Sequence, residues 1–175
     1  MGIGIEMKIK TKFFGEIEIS EEQVILFPFG LYGFEEYNRF VLLHDEEDEN
    51  GIFRWLQCVD EESLCFTVME PAFVCEDYSP KLPENSLKKL GADAEENGDL
   101  IYLVITVIYD EMEKSTVNLL SPIVINSGNR VAAQIILESW ESENSGYKTK
   151  HKIFEIGGGE SPADTQEGDV APCLS

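Results

Sequence analysis

The sequence predicts a mostly-β single domain, a folded sheet or barrel-like architecture with a short helical insert. Apolar and polar residues alternate in several short stretches, the pattern of half-buried strands. Glycines, prolines and acidic turns separate these stretches. Residues 100–109 are apolar and rich in β-branched side chains, which is typical of a strand covered on both faces. With 175 residues, 43% of them hydrophobic, the chain can bury a core without disulfides or metals.

The N-terminal part of the chain is predicted to be all strand and turn. Residues 8–13 alternate, Gly15 indicates a bulge or tight turn, and the alternation resumes at Ile17 and Ile19. A strand over residues 24–27 is stopped by Pro28. Further strands are predicted at residues 39–44, 53–59 and 64–69.

The second half contains the one good helix candidate, Glu84 to Leu90, opened by Pro83 and ended by Gly91. Strands are predicted at residues 100–109, 117–126 and 130–138, the last two joined as a hairpin. Residues 147–156 fit either a helix or an edge strand. The centre of the core is expected to contain Leu103, Ile105, Val107, Ile123, Ile125, Ile135 and Leu137.

The composition changes after residue 156. We therefore expect one β domain over residues 1–156 and a disordered acidic, glycine-rich tail over residues 157–175.

The charge balance excludes several classes of partner. There are 34 Asp and Glu against 13 Lys and Arg, so the net charge is -21 and the pI about 4.2. Such a chain repels nucleic-acid phosphates and anionic membrane surfaces. It attracts a cationic protein and accelerates the encounter. Two other interpretations stay open: excess acid that only maintains solubility, and an acidic mimic of nucleic acid that blocks a basic groove.

The sequence predicts a protein that is not an enzyme and has no metal or cofactor. Cys58 and Cys65 lie in apolar strands and are interpreted as reduced, buried residues of a cytosolic protein. The alternative is a small hydrolase or ligand-binding barrel with a pocket near Cys58 and His44, in which His44 would accept the thiol proton. No apolar run approaches the roughly 20 residues of a membrane span, and no signal peptide is recognised.

An aromatic segment is the strongest candidate for an interface. Its five aromatics cannot all face inward if the intervening glycines form turns: Phe27, Phe29, Tyr32, Phe34 and Tyr37. An exposed apolar patch beside Glu35 and Glu36 has the profile of a protein-binding surface. The alternative is a loop that only plugs one end of a barrel. Trp55 is interpreted as a core residue rather than a binding anchor.

The predicted partner-binding residues fall into two groups. Leu31, Tyr32, Phe34 and Glu35 are expected to form a loop interface. The acidic run Asp45, Glu46, Glu47, Asp48 and Glu49 is expected to supply steering charges, since it lacks the ligand spacing of a calcium loop. Asn118 and Asn126 are expected to satisfy backbone groups at strand ends.

Four segments, in order and in register, resemble the flagellar assembly factor FliW family. They are Phe-Gly-Glu-Ile at residues 14–17, Phe-Pro-x-Gly-Leu-x-Gly-Phe-Glu at 27–35, Trp-Leu-Gln-x-x-Asp at 55–60, and Asn-Leu-x-x-Pro-Ile-Val-Ile-Asn at 118–126; Gln134 also fits. The resemblance spans roughly residues 7–156. One departure is Tyr32, at a position where the family usually has proline.

This resemblance implies a bacterial cytoplasmic protein without catalytic activity. It would bind newly made flagellin and, alternatively, the carbon storage regulator CsrA, a small cationic RNA-binding dimer that represses flagellin translation. Holding CsrA would relieve the repression, and accumulating flagellin would displace CsrA and restore it.

Overall fold

Eleven strands and one short α-helix form the described part of the chain, residues 4–48, 51–91 and 100–154 of a computed structural model. The strands are β1 (Glu6–Thr11), β2 (Gly15–Ser20), β3 (Val24–Leu26), β4 (Arg39–Leu43), β5 (Phe53–Cys58), β6 (Cys65–Met69), β7 (Leu100–Val107), β8 (Thr116–Val117), β9 (Ile123–Asn126), β10 (Val131–Gln134) and β11 (His151–Lys152). Helix α1 spans Glu84–Leu90, as predicted from Pro83 and Gly91. The predicted tail, residues 157–175, and Glu49 lie outside the described residues.

Seven of these strands close into a ring. The order is β3, β4, β5, β6, β7, β9, β10 and back to β3. All neighbours are antiparallel except β10 and β3, which are parallel at the pair Val131 and Leu26. Because β7 pairs with β6 and with β9 at different points along its length, it completes the ring and continues to β8. The mostly-β, barrel-like prediction is confirmed.

Every second side chain along each strand points inward, and these side chains fill the barrel. Along β5, Leu56 and Cys58 point inward, and Leu103 of β7 faces Ile123 of β9. Ring contacts such as that of Phe27 with Phe40, 5.0 Å between centroids, pack one end. The interior cluster is Ile25, Phe27, Leu31, Phe40, Leu56, Cys58, Leu64, Val68, Leu103, Ile123, Ile125 and Ala132.

Two further elements cover the outer face of the barrel. The β1–β2 hairpin packs Ile9 and Ile19 on Val24 and Val41 of β3 and β4. On another side, Leu90 of α1 joins a second cluster with Val104, Val124 and Ala133, the outward residues of β7, β9 and β10. Much of the sheet is therefore covered on both faces, as the continuous apolar pattern of β7 indicated.

Two details differ from the sequence prediction, and a third decides between two alternatives that it left open. The expected strand over residues 117–126 is divided in two, because the Asn118 side chain accepts hydrogen bonds from the amides of Leu120 and Ser121, both at 3.1 Å, and forms a turn. Val107 was expected in the core but is 47% exposed, since it lies beyond the part of β7 that faces β9. Residues 147–156, left open between helix and strand, contain the edge strand β11.

The connections between strands define two ends of the barrel. The aromatic loop (residues 28–38) joins β3 to β4, and residues 59–64 join β5 to β6 at the same end, which we call the loop end. The acidic run follows β4 and therefore lies at the opposite end, which we call the open end. Within the described residues, no helix has the length and apolar character needed to cross a bilayer.

Candidate partner-binding site

The aromatic loop presents apolar side chains to solvent at the loop end. Phe29, Tyr32 and Phe34 are 57%, 53% and 39% exposed, whereas Phe27 is completely buried. The expectation that part of the aromatic set stays accessible is confirmed. Leu31 is different: it was predicted as a contact residue but is only 1% exposed and belongs to the interior cluster. Its burial anchors the loop, so the plug interpretation applies to this residue.

The backbone of the loop is held by local hydrogen bonds. Gly30 has φ 64°, in the left-handed region, and a Cβ at that position would lie 2.5 Å from the Glu35 Cα atom. The amide of Phe34 donates to the carbonyl of Leu31 at 2.8 Å, and the amide of Gly33 donates to the Glu35 carboxylate at 3.0 Å. That donation lowers the pKa of Glu35. The loop is thus a fixed turn rather than a loose connection.

A side chain from a distant strand also fixes the tip of the loop. Gln134, at the end of β10, accepts a hydrogen bond from the Tyr32 amide at 3.1 Å across 102 residues. The Lys89 ammonium lies over the Phe29 ring, 5.3 Å from its centroid. Gln134 was noted in the sequence only as part of the family resemblance. Its role depends on the parallel pairing of β10 with β3, which brings its end beside the loop.

Several carboxylates lie at the same end of the barrel as this aromatic surface. Glu35 and Glu36 belong to the loop itself, and residues 60–62 add three more acids at the same end. Desolvation raises the pKa of Tyr37, and the nearby carboxylates of Glu36 and Glu61 raise it further. Sequence reasoning missed the contribution of residues 60–62. The available signal was the antiparallel hairpin of β5 and β6, whose turn must lie at the end where β4 begins.

An ion pair connects this turn to β4. The Arg39 guanidinium donates through Nε to one oxygen of Asp60 at 3.1 Å and through Nη2 to the other. The hydrogen bond and charge of Asp60 raise the pKa of Arg39. Asp60 of the Trp-Leu-Gln-x-x-Asp segment therefore holds the acidic turn in place beside the aromatic loop.

The acidic run does not join the aromatic loop in one surface. It follows Leu43 at the far end of β4, whose five residues span roughly 17 Å. Asp45 is half-buried and accepts a hydrogen bond from the Glu47 amide at 3.0 Å, while Glu46, Glu47 and Asp48 are exposed. Glu49 lies outside the described residues. The predicted partner-binding residues are thus divided between the two ends of the barrel.

The alternative catalytic pair is not formed. Cys58 is fully buried inside the barrel and pairs across the sheet with Phe40, and burial raises the pKa of its thiol. His44 directly follows the last residue of β4 and is four residues, roughly 13 Å, from Phe40. A nucleophile and its base must be within hydrogen-bond reach, so the Cys58–His44 interpretation is wrong. In the part of the chain that the structure describes, no group of three His, Cys, Asp or Glu side chains could hold a metal ion.

Comparison with known proteins identifies the family. The model of the FliW protein family matches residues 8–153. The chain belongs to the FliW family. The flagellar assembly factor FliW of Lachnospira eligens is 38% identical over 151 residues, which is 86% of this chain and 96% of that protein. FliW of Caldanaerobacter subterraneus subsp. tengcongensis is 40% identical over 149 residues, with 85% and 94% of the two chains covered.

A solved structure shares both fold and sequence. The crystal structure of a flagellar assembly factor FliW superposes with a TM-score of 0.74 at 36% identity, and the match covers 86% of this chain and 99% of that one. The resemblance stated from four sequence segments is confirmed, and its span of residues 7–156 agrees with the FliW family match. The chain is therefore a member of a family of flagellar assembly factors.

Proposed function

We propose that this FliW-family protein binds flagellin and, alternatively, the translational regulator CsrA in the cytoplasm, and so couples flagellin synthesis to flagellin supply. Family membership supports a role in flagellar assembly. The single observation that supports a separate surface for each partner is the placement of an exposed aromatic loop and an acidic run at opposite ends of the barrel.

The aromatic loop is suited to flagellin. Flagellin termini pack as amphipathic helices in the filament, and an apolar helix face needs an apolar surface to cover it. Phe29, Tyr32 and Phe34 offer such a surface, and the hydrogen bonds from Gln134 and within the loop hold it before binding. A preorganised site avoids part of the entropy cost of association. Aromatic residues are also the usual energetic centres of interfaces.

The acidic run is suited to CsrA. A chain of net charge -21 attracts a cationic dimer over long range, and Asp45 to Asp48 concentrate charge at the open end. The same negative field repels RNA that approaches a captured CsrA. Binding by this surface therefore opposes repression without imitating RNA.

Two affinity titrations test this division. Binding of the full chain to flagellin and to CsrA is measured at about 50 mM and about 300 mM salt, because the Debye length is about 8 Å near physiological ionic strength. We expect CsrA affinity to fall steeply with salt and flagellin affinity to change little. Equal salt slopes for both partners, or no binding of either, would refute the proposal.

A matched pair of variants tests whether the acidic run, rather than the total charge of the chain, determines CsrA binding. One carries Asp45→Asn, Glu46→Gln, Glu47→Gln and Asp48→Asn; the control neutralises four exposed acids on β2 and the turn after it, Glu16→Gln, Glu18→Gln, Glu21→Gln and Glu22→Gln. Both variants change the net charge by the same amount. The first is expected to reduce the salt slope for CsrA and the second to leave most of it. Identical slopes would show that total charge, rather than the acidic run, determines binding.

A further inference from the structure

The open end of the barrel leads into a cavity of about 540 Å³. One part of its wall consists of aliphatic side chains on the inward rows of four strands, Ile25 of β3, Leu42 of β4, Ile101 and Leu103 of β7, and Ile125 of β9. Another part consists of Pro71, Ala72, Tyr78, Leu100 and Tyr102. The volume falls in the range of about 300–1,000 Å³ that is usual for small-molecule sites. Phe27, Phe40 and Leu31 close the loop end, so this cavity is reached from the open end.

The charged side chains at the rim of the cavity have a net positive charge, whereas the whole chain has a net negative charge. Arg54 continues the inward row of β5 beyond Leu56, and Glu70 follows the inward row of β6 beyond Val68; Arg130 lies opposite, beside β3. Two of the three arginines of the chain therefore line this one cavity. The charged lining residues are two arginines and one glutamate, a net charge of +1 in a chain of -21. The two arginines therefore offer an anionic group a favourable short-range contact, while Asp45, Glu46, Glu47 and Asp48 at the same end oppose its approach over longer range.

Arg54 forms a weak ion pair with Glu70 and can exchange this partner for another carboxylate. The Arg54–Glu70 ion pair has an N–O distance of 3.4 Å, and both side chains are close to half exposed. Exposed pairs of this kind are weak, because water and salt compete for both charges. A second carboxylate at the mouth can therefore take the place of Glu70 on the guanidinium.

The other arginine is held in position. Arg130 adopts φ 58°, which non-glycine residues seldom do, and its guanidinium donates to the carbonyls of Gln23 and Val24 at 2.8 and 3.2 Å. These bonds hold the charge over the seam between β10 and β3, at the edge of the cavity. Its field adds to that of Arg54.

Apolar surface remains uncovered at the same mouth. Ile101 lies on the inward row of β7 with Leu103, yet it is 44% exposed because the barrel interior is open at this level. A ligand with an apolar body would remove this surface from water, while its head group met the rim.

We propose that the open end of the barrel binds a small amphiphile with an aliphatic body and a single carboxylate, of the size of a medium-chain fatty acid. The body lies against Ile101 and Leu42, and the carboxylate pairs with Arg54. This inference goes beyond the proposed function and does not involve the aromatic loop.

Calorimetric titration of the full chain tests it, with decanoate as the probe and decyltrimethylammonium as the head-group control. We expect saturable one-to-one binding of decanoate and at least tenfold weaker binding of the cation. Absence of decanoate binding overturns the proposal. Equal binding of both probes also overturns it, since equal affinity is nonspecific detergent association.

Variants locate the site. Ile101→Glu is expected to abolish decanoate binding, whereas Val107→Glu, on the same strand with 47% exposure but outside the cavity, is expected to keep it. Arg54→Gln is expected to reduce decanoate affinity about threefold, because an ion pair at this half-exposed guanidinium is weak. Thermal unfolding confirms that each variant is folded. Equal losses in the two β7 variants, or an unchanged affinity in Arg54→Gln, would rule out this site. Flagellin binding is not measured here, so either proposal can fail alone.

Discussion

The buried side chain of Gln57 accepts a hydrogen bond from the backbone amide of Lys12 at 3.0 Å, across 45 residues of sequence. Its Nε2 atom faces the carbonyls of Cys58, Glu61, Glu62 and Leu64 at 3.0–3.2 Å. One amide therefore joins the β1–β2 hairpin to the barrel and also shapes the turn between β5 and β6. This turn carries the acids beside the aromatic loop, so Gln57 connects the core to the candidate site.

Replacement of the Gln57 side chain should lower the free energy of unfolding. Gln57→Leu keeps the volume but removes the acceptor of the part-buried Lys12 amide and the donor that faces the buried carbonyls of Cys58 and Leu64. We expect the free energy of unfolding to fall by about 2–3 kcal/mol. Urea denaturation followed by circular dichroism measures it. The control, Gln134→Leu, removes a single exposed hydrogen bond and should cost at most about 1 kcal/mol; equal losses would mean that the Gln57 network is not important for stability.

Local sequence patterns predicted the elements well, because alternation and Pro–Gly punctuation act over a few residues. The helix from Glu84 to Leu90 follows from Pro83 and Gly91, and the strand positions were correct to within a few residues. The division at Asn118 was missed, since a side chain that bonds the backbone two and three residues on interrupts an otherwise apolar stretch. The parallel pairing of Val131 with Leu26 has no local signal at all.

The candidate site was predicted only in part, because contacts between residues far apart in the sequence have no local signal. Exposed aromatics in the loop follow from crowding around glycines, but the burial of Leu31 depends on the left-handed turn at Gly30. The position of the acidic run at the other end of β4 from Phe34 follows from chain order, because the loop precedes β4 and the run follows it. The placement of residues 60–62 beside the loop depends on the antiparallel pairing of β4 with β5 and of β5 with β6.

Gly30 should tolerate substitution less well than Gly33. Both have positive φ, 64° and 84°, so alanine is strained by about 1–2 kcal/mol at either position. At Gly30 the new Cβ would also lie 2.5 Å from the Glu35 Cα atom and 2.7 Å from the Phe34 carbonyl, whereas Gly33 has open space. We expect Gly30→Ala to lose about 3 kcal/mol or more and to weaken flagellin binding, and Gly33→Ala to lose only the strain. Denaturation and binding are measured on both. A Gly30→Ala protein as stable as Gly33→Ala would contradict the close packing of the loop.

Tyr32 should be a major contact for flagellin. Tyr32→Ser removes an exposed ring but keeps the backbone amide that donates to Gln134, so the loop conformation is retained. We expect flagellin affinity to fall by a factor of about 30, the effect of an interface hot spot of about 2 kcal/mol, with little change in the melting temperature. Phe73→Ser is the control, because Phe73 is 58% exposed but follows β6 at the open end. Similar affinity in the two variants would exclude the aromatic loop as the flagellin site.

Cys65 should make stability depend on pH in the alkaline range. Burial raises the pKa of its thiol from an ordinary value of 9.0 to about 11, because the thiolate loses hydration, and Lys12 offsets this only in part. The folded state then retains a proton that the unfolded state releases, so the stabilisation is complete below about pH 9 and is lost as the pH rises to about 11. Urea denaturation of the protein and of Cys65→Ala at intervals from pH 8 to pH 11.5 measures the difference in free energy of unfolding, in which tyrosine and lysine titration cancels. We expect this difference to begin to decrease near pH 9 and to continue to decrease through pH 11. A difference that does not change with pH would show that the thiol is hydrated in the folded protein.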